Sequence, residues 1–109
     1  MADQALFQIL DPADREVLQM LWTYGPATAH SIHERLHRRR RIAYTTVLSL
    51  MRSLHRRGLL TRAAGRWNAY IYTSAVSREE LLLRAVEQVC ADLAATPTER
   101  QRLAEALQA

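Results

Sequence analysis

The sequence contains little of what a disulfide, a membrane segment or an active site would need. Cys90 is the only cysteine, so no internal disulfide can form and a reducing cytoplasm is the expected compartment. No apolar run approaches the roughly 20 residues of a membrane-spanning helix, and the N-terminus lacks the pattern of a signal peptide. Three glycines leave no phosphate-binding loop, and no nucleophile–base motif is recognisable. We therefore predict no membrane segment, cofactor or enzymatic activity, and we interpret Cys90 as an inert buried residue.

Acidic residues are missing from a long central stretch of the chain. Residues 35–78 carry eleven of the fifteen arginines and no aspartate or glutamate, while the segments on either side hold all eleven acidic residues. A surface that only kept the protein soluble would mix both signs of charge. A one-sign block of this length indicates a polyanionic partner, and we expect double-stranded DNA. The arginine run at residues 38–41 has a second interpretation, as a solvated helix end.

The most strongly patterned helix of the sequence lies inside this basic block. Its apolar residues recur at the i, i+3, i+4 and i+7 positions of one helix face, namely Val47, Leu50, Met51 and Leu54. The opposite face combines short hydroxyls with arginine and has no acid: Thr45, Ser49, Arg52 and Arg56. Such groups can hydrogen-bond to base edges and phosphates in a DNA major groove. We interpret this segment as a recognition helix that Gly58 ends in a left-handed cap.

Two shorter helices are predicted before it, after an unpatterned arm at residues 1–10. Asp11 is the expected N-cap of the first helix, which Pro12 begins and the sequence at residues 24–26 ends. Thr28 is the expected cap of the second helix. Three short helices joined by short turns predict a helix-turn-helix unit.

Histidines are concentrated on one side of the second helix. His30, His33 and His37 are three and four residues apart, a spacing that can hold a metal ion. Exposed histidines on a helix that crosses a phosphate backbone are a simpler interpretation. We predict no metal site.

After Gly58 the pattern becomes that of β-strands. Residues 59–62 and 69–73 are predicted to pair as a hairpin, and the loop between them places Arg66 and Trp67 at the tip. Trp67 has two interpretations, because it either packs on its own sheet or contacts DNA. Three helices followed by a basic hairpin predict a winged helix.

The remainder of the chain predicts two amphipathic helices, which capping boxes at Ser77 and Thr96 begin. Their apolar positions are Leu82, Val86, Val89, Leu93, Leu103 and Leu107. A winged helix has little core left to cover, so we expect these residues to pack against a second copy of the chain. Folding back onto the same domain is the alternative. The predicted class is mainly α with a small β-hairpin, with a winged-helix DNA-binding domain at residues 1–76 and a helical dimerisation region at residues 77–109.

Four blocks of the sequence resemble the penicillinase-repressor family. They are residues 10–22 (LDPADREVLQMLW), 43–47 (AYTTV) and 54–60 (LHRRGLL), followed by Gly65, Arg66 and Tyr70. The resemblance implies a homodimeric winged-helix repressor of a palindromic promoter site, with Trp22 in the core. It also implies that the DNA-facing positions of the third helix are Thr45, Thr46, Leu48, Ser49 and Arg52.

The sequence departs from both inducible branches of that family. The metal-responsive branch ends in paired Cys-x-Cys motifs, whereas this chain has only Cys90. The β-lactam-responsive branch is cut at an Asn-Phe bond in its dimerisation region, and neither residue type follows Tyr70 here. The inducer is therefore open, and a sensor protease as a partner is unknown.

Our leading hypothesis is a sequence-specific dimeric repressor without cofactor or metal. The predicted DNA-contacting residues are Arg39, Arg40, Arg41, Ala43, Tyr44, Thr45, Thr46, Leu48, Ser49, Arg52, Arg66 and Trp67. The alternative is a winged-helix architectural or protein-interaction module that binds DNA only non-specifically. Such a module would carry mainly arginine on its central helix, whereas hydroxyl groups of base-reading size favour the first hypothesis.

Overall fold

The computed structural model describes residues 10–108 and confirms a mainly helical chain with one small hairpin. The elements in chain order are α1 (Pro12–Tyr24), α2 (Ala29–His37), α3 (Tyr44–Arg56), β1 (Leu60–Ala64), a 3-10 turn (Arg66–Asn68), β2 (Tyr70–Ser74), α4 (Arg78–Asp92) and α5 (Pro97–Gln108). The predicted N-terminal arm lies outside the described residues, apart from Leu10. Within residues 10–108, no helix combines the length and apolar character needed to cross a bilayer.

The first helix begins at the predicted N-cap. Asp11 Oδ1 accepts from the backbone N–H of Asp14 at 2.9 Å, and Asp14 Oδ2 accepts from the N–H of Asp11 at 3.2 Å. These reciprocal bonds satisfy two donors that the first helical turn cannot pair internally. Gly25 ends the helix with a φ of 86°, a backbone conformation that favours glycine.

One core joins the three N-terminal helices to the base of the hairpin. Its members are Val17, Leu18, Met20, Leu21, Ala29, Ile32, Leu36, Val47, Met51, Leu54, Leu59, Leu60, Tyr72 and Val76. The predicted inward positions are confirmed except at Leu50 and Trp22, which are only partly buried against this core. Trp22 is nevertheless fixed, because its indole N–H donates to the carbonyl oxygen of Val76 at 2.9 Å. This bond ties the end of α1 to the segment between β2 and α4.

The hairpin is antiparallel, and its register pairs Leu60 with Ser74 and Ala64 with Tyr70. Both strands begin one residue later than predicted, and β1 also continues two residues further. The turn between α1 and α2 joins the same sheet, since Ala27 and Tyr72 exchange backbone hydrogen bonds of 3.0 and 2.8 Å. The hairpin is therefore anchored to the helices at its base, while its far end projects into solvent.

An ion pair connects the start of α1 to the end of α3. An Arg57 guanidinium nitrogen lies 3.2 Å from Asp14 Oδ2, and the two side chains are 16% and 3% exposed. Charges removed from water to this degree require a partner, and losing one partner is far more costly than losing a surface pair. The pair therefore holds α3 in place against α1.

The two C-terminal helices are largely exposed in the single chain. Ser77 Oγ accepts from the N–H of Glu80 at 3.0 Å at the start of α4. Thr96 and Glu99 form both bonds of the predicted capping box at α5, and the hydrogen bonds from Thr96, the backbone one first, lower the pKa of Glu99. Cys90 is the one buried residue of α4, as predicted, and α5 has none. The described chain measures 53 × 28 × 21 Å along its principal axes.

The Asp14–Arg57 pair leads to a prediction about stability. Asp14→Asn keeps the size of the side chain but removes its charge, and we expect the free energy of unfolding to fall by about 3 kcal/mol. Urea denaturation followed by circular dichroism measures this loss. Glu34→Gln is the matched control, because the pair of Glu34 with His30 is 58% and 71% exposed and should contribute below about 1 kcal/mol. Equal losses in the two variants would contradict the buried pair's role.

Candidate nucleic-acid interface

Helix α3, the predicted recognition helix, divides into one buried and one exposed face. Val47, Met51 and Leu54 are completely buried in the core. On the other side the predicted polar positions are open to solvent, namely Thr45, Thr46, Ser49, Arg52 and Arg56, and Leu48 is partly buried between the two faces. Because a helix turns about 100° per residue, positions 45, 48, 49 and 52 form one continuous strip. The core thus holds α3 by one side and leaves a strip of hydroxyl and guanidinium groups free.

The start of α3 has no side-chain cap. Ala43 is its N-cap residue and supplies no side-chain hydrogen bond to the first turn, so the positive end of the helix dipole is open. Ala43 and the neighbouring Tyr44 are both exposed. His33 fixes the segment that leads here, since its Nε2 lies 2.9 Å from the carbonyl oxygen of Ile42. These features present the first turn of α3 outward, as DNA contact requires.

The arginines between α2 and α3 are alike in exposure but differ in their ion pairing. Arg39, Arg40 and Arg41 are all exposed. An Arg40 guanidinium nitrogen lies 2.8 Å from Glu16 Oε1 of α1, whereas Arg39 and Arg41 form no ion pair within the described part of the chain. The sequence did not reveal the Arg40–Glu16 contact, because the two residues are 24 positions apart. Arg40 is therefore held by a carboxylate of α1, and Arg39 and Arg41 are not held in this way.

Histidines of α2 make side-chain contacts within the fold. His30 Nε2 pairs with Glu34 at 2.9 Å, and the ring of His33 lies edge-on to Tyr44 at 5.8 Å. His33 is partly buried, so the expectation of three exposed histidines is wrong at this position. Within residues 10–108 there is no group of three or more residues placed to ligate a metal ion.

The hairpin tip holds Arg66 and Trp67 in solvent. Trp67 is 95% exposed, so the interpretation in which it packs on its own sheet is wrong. Sequence reasoning missed Arg62 and Tyr70 on the same hairpin, where the guanidinium carbon of Arg62 lies 4.0 Å from the centre of the Tyr70 ring. An aromatic residue among the arginines of a basic hairpin was the available signal. Tyr70 also lines the groove that separates the hairpin from Arg52 on α3, so helix and hairpin form one surface.

The predicted dimerisation residues fall into two groups. Leu82, Val89 and Leu93 form the first group and are 55%, 49% and 76% exposed. Val86, Leu103 and Leu107 instead line a cleft between α4 and α5, where Leu103 and Leu107 are still 38% and 66% exposed. An ion pair of 3.2 Å between Arg100 and Glu87 bridges the same two helices. The first group is apolar surface that the single chain leaves open.

Comparisons with known proteins agree with the predicted family and with the observed fold. The model of a family described as penicillinase repressor matches residues 10–108. The fold is similar to that of the transcriptional regulator Tm0710 from Thermotoga maritima, with a TM-score of 0.56 and 22% identity over 98% of this chain and 78% of that chain. It is also similar to MepR of Staphylococcus aureus in a DNA complex, with a TM-score of 0.55 and 18% identity over 97% of this chain and 84% of that chain. A comparison with curated protein sequences gave no match.

The ion pair that, among the described residues, Arg40 forms and Arg41 lacks leads to a prediction about the salt dependence of DNA binding. Arg41→Ala should lower affinity for all duplexes alike and flatten the plot of log K against log salt by about 0.9 per lost phosphate contact. Arg40→Ala should cost less affinity, since Arg40 must first give up Glu16. Fluorescence anisotropy of a labelled duplex at several salt concentrations measures both effects.

Arg102→Ala in α5 is the matched control, because Arg102 is exposed and lies outside the basic block. Its slope should equal that of the wild type. An Arg41 variant that behaves like the Arg102 variant would remove Arg41 from the interface.

Proposed function

Because this chain belongs to the penicillinase-repressor family and is a winged-helix transcriptional regulator that binds DNA, we propose that it is a homodimeric repressor of a palindromic operator. Each protomer inserts α3 into the major groove of one half-site. Residues up to 76 form the DNA-binding unit, and residues from 77 onward join the two protomers. The observation that carries the proposal is the acid-free, exposed strip of α3, which the core presents outward.

The composition of that strip favours base reading over non-specific binding. Thr45, Thr46 and Ser49 are exposed hydroxyl residues, and Arg52 is the guanidinium among them. A hydroxyl donates to or accepts from a base edge, and arginine binds the O6 and N7 acceptors of guanine with two parallel hydrogen bonds. Leu48 adds an apolar edge that suits a thymine methyl group. Hydroxyls can also bind phosphates, but a helix that bound only phosphates would carry mainly arginine on this face.

Contacts to the DNA backbone are assigned to the residues around the strip. Arg39 and Arg41 are exposed and outside any ion pair of the described residues, and the uncapped start of α3 at Ala43 and Tyr44 lies beside them. Guanidinium groups and helix N-termini both attract phosphate. The hairpin provides Arg66 on the other side of α3. The solved MepR complex contains DNA on a similar fold, which supports this assignment.

The dimer is proposed from the open apolar surface of α4 and α5. Leu82, Val89 and the C-cap residue Leu93 lie within about 20° of one line along α4, and the single chain leaves each of them about half exposed or more. A second copy placed across a two-fold axis would bury this line against its own equivalent. The same axis would set the two recognition helices about one turn of DNA apart, roughly 34–36 Å.

A base-reading role for α3 predicts a change in discrimination. Ser49→Ala should weaken binding to the operator more than binding to random DNA, by roughly 1–3 kcal/mol if one base contact is lost. Competition between labelled operator and random duplex gives the ratio, with the operator taken from a random pool that the protein itself has enriched. Thr98→Ala, which removes an exposed hydroxyl on α5, is the control and should leave the ratio unchanged. Equal losses for both kinds of DNA would support the architectural alternative.

The dimer proposal predicts that a charge in the seam produces a folded monomer. Val89 is half exposed in the single chain, so Val89→Arg should keep the helical circular dichroism of the protein. In the dimer the same arginine would lie in a desolvated seam, at a cost of several kcal/mol unless it finds a partner. Sedimentation should therefore show a monomer, with operator binding lost and weak salt-sensitive binding retained.

The matched control is Ala91→Arg, which adds the same charge to an exposed position on the opposite side of α4. This variant should remain dimeric and bind operator. If the Val89 variant also stays dimeric, the seam lies elsewhere.

A further inference from the structure

Among residues 10–108, Trp67 is the most exposed large apolar residue. It is 95% exposed, whereas the other tryptophan, Trp22, is partly buried and donates hydrogen bonds to Ser74 and Val76. An indole has the largest apolar surface of any side chain, and leaving it in water sacrifices the burial that it would otherwise gain. The fold therefore gains nothing from Trp67 in the single chain.

The backbone at the tip holds this side chain outward. Trp67 and Asn68 have φ values of 59° and 60°, the left-handed region that bulky residues rarely occupy. Two hydrogen bonds close the turn around them, from Gly65 N–H to the Ala69 carbonyl at 2.7 Å and from Ala69 N–H to the Arg66 carbonyl at 3.1 Å. A side chain at Gly65 would come within 3.0 Å of the Ala69 carbonyl and of Ile71. The tip is thus a closed turn that projects one indole.

The surroundings of Trp67 identify the chemistry of its partner. In β1 every residue after Leu60 is exposed, and Tyr70 and Ile71 are 44% and 38% exposed, so the far half of the hairpin lies largely in solvent. Arg62 and Arg66 are its charged residues, and no acid occurs between residues 35 and 78. A narrow, two-sided projection with an apolar tip and flanking cations matches a DNA groove, which has negatively charged phosphate walls and, between the bases of a step, apolar stacking faces.

We propose that, in the complex with DNA, Trp67 enters the minor groove next to the major groove that α3 occupies and wedges its indole against a base step. Arg66 holds the hairpin to the phosphates at the rim of that groove. The inference rests on the proposed function, because only a DNA-docked α3 brings the hairpin to this position.

The wedge would add sequence preference at positions that α3 does not touch. Inserting an apolar side chain partly unstacks a base step, and pyrimidine–purine steps unstack most easily. The operator should therefore carry a TA or CA step under each hairpin tip. Replacing it with a stiff A-tract should reduce affinity several-fold, although no side chain reads those bases through hydrogen bonds.

Tryptophan fluorescence tests the contact directly, because the chain has only two tryptophans. Adding the operator enriched from a random pool should quench the exposed emission of the wild type, since a stacked indole loses its excited state to the bases. Trp67→Phe retains only Trp22, which lies away from the hairpin tip, and its emission should not change. A wild-type emission that operator leaves unaltered would overturn the proposal.

A second measurement separates insertion from mere proximity. With 2-aminopurine in the step under the hairpin tip, wild-type protein should raise the emission of this base analogue by unstacking it, and Trp67→Ala should not. Trp67→Ala should also bind operator roughly tenfold more weakly, as expected for loss of one aromatic stack. Trp67→Phe should recover most of that loss.

The outcomes distinguish a failure of the proposed function from a failure of the Trp67 wedge alone. If no sequence is enriched from the pool, the proposed function itself fails. If an operator is found but Trp67→Ala binds it as tightly as the wild type, only the wedge is overturned, and Trp67 then serves a protein partner.

Discussion

Everything in this molecule depends on burying one side of α3 while leaving the other side in water. Val47, Met51 and Leu54 are fully buried, and they pack against α1, α2 and the base of the hairpin. The buried pair of Asp14 and Arg57 then holds the end of α3 against the start of α1. Because the core and this ion pair together fix α3 in the domain, its exposed strip keeps a constant orientation relative to the hairpin. A rigid strip of this kind is what base reading requires.

Periodicity and capping residues were sufficient to predict most of the fold. The i, i+3, i+4, i+7 pattern of α3 identified its buried face, and Asp11, Thr28 and Thr96 marked helix starts that the structure confirms. These features are local, since an N-cap and its partner are three residues apart. The strand boundaries shifted by one or two residues because cross-strand pairing, which the sequence does not show, decides them.

Contacts between distant segments could not be predicted. The Arg40–Glu16 and Arg57–Asp14 pairs each join α1 to a segment far along the chain, and charge patterns alone do not say which acid meets which arginine. The position of the Trp67 side chain could not be predicted for a related reason. Whether an indole at a hairpin tip folds back depends on the turn, and two left-handed residues in succession turn it outward. The positions of Val86 and Leu103 in a cleft within one chain also depend on how α4 meets α5.

The central claim is that two copies of α3 read the two halves of one symmetric site. Enrichment of bound duplexes from a random-sequence pool, followed by mass determination of the resulting complex, tests it most directly. The account predicts one enriched sequence with inverted half-sites whose centres are about 10 base pairs or slightly more apart, and two protein chains on each duplex. An enriched sequence without two-fold symmetry, or a complex with one chain per duplex, would contradict it.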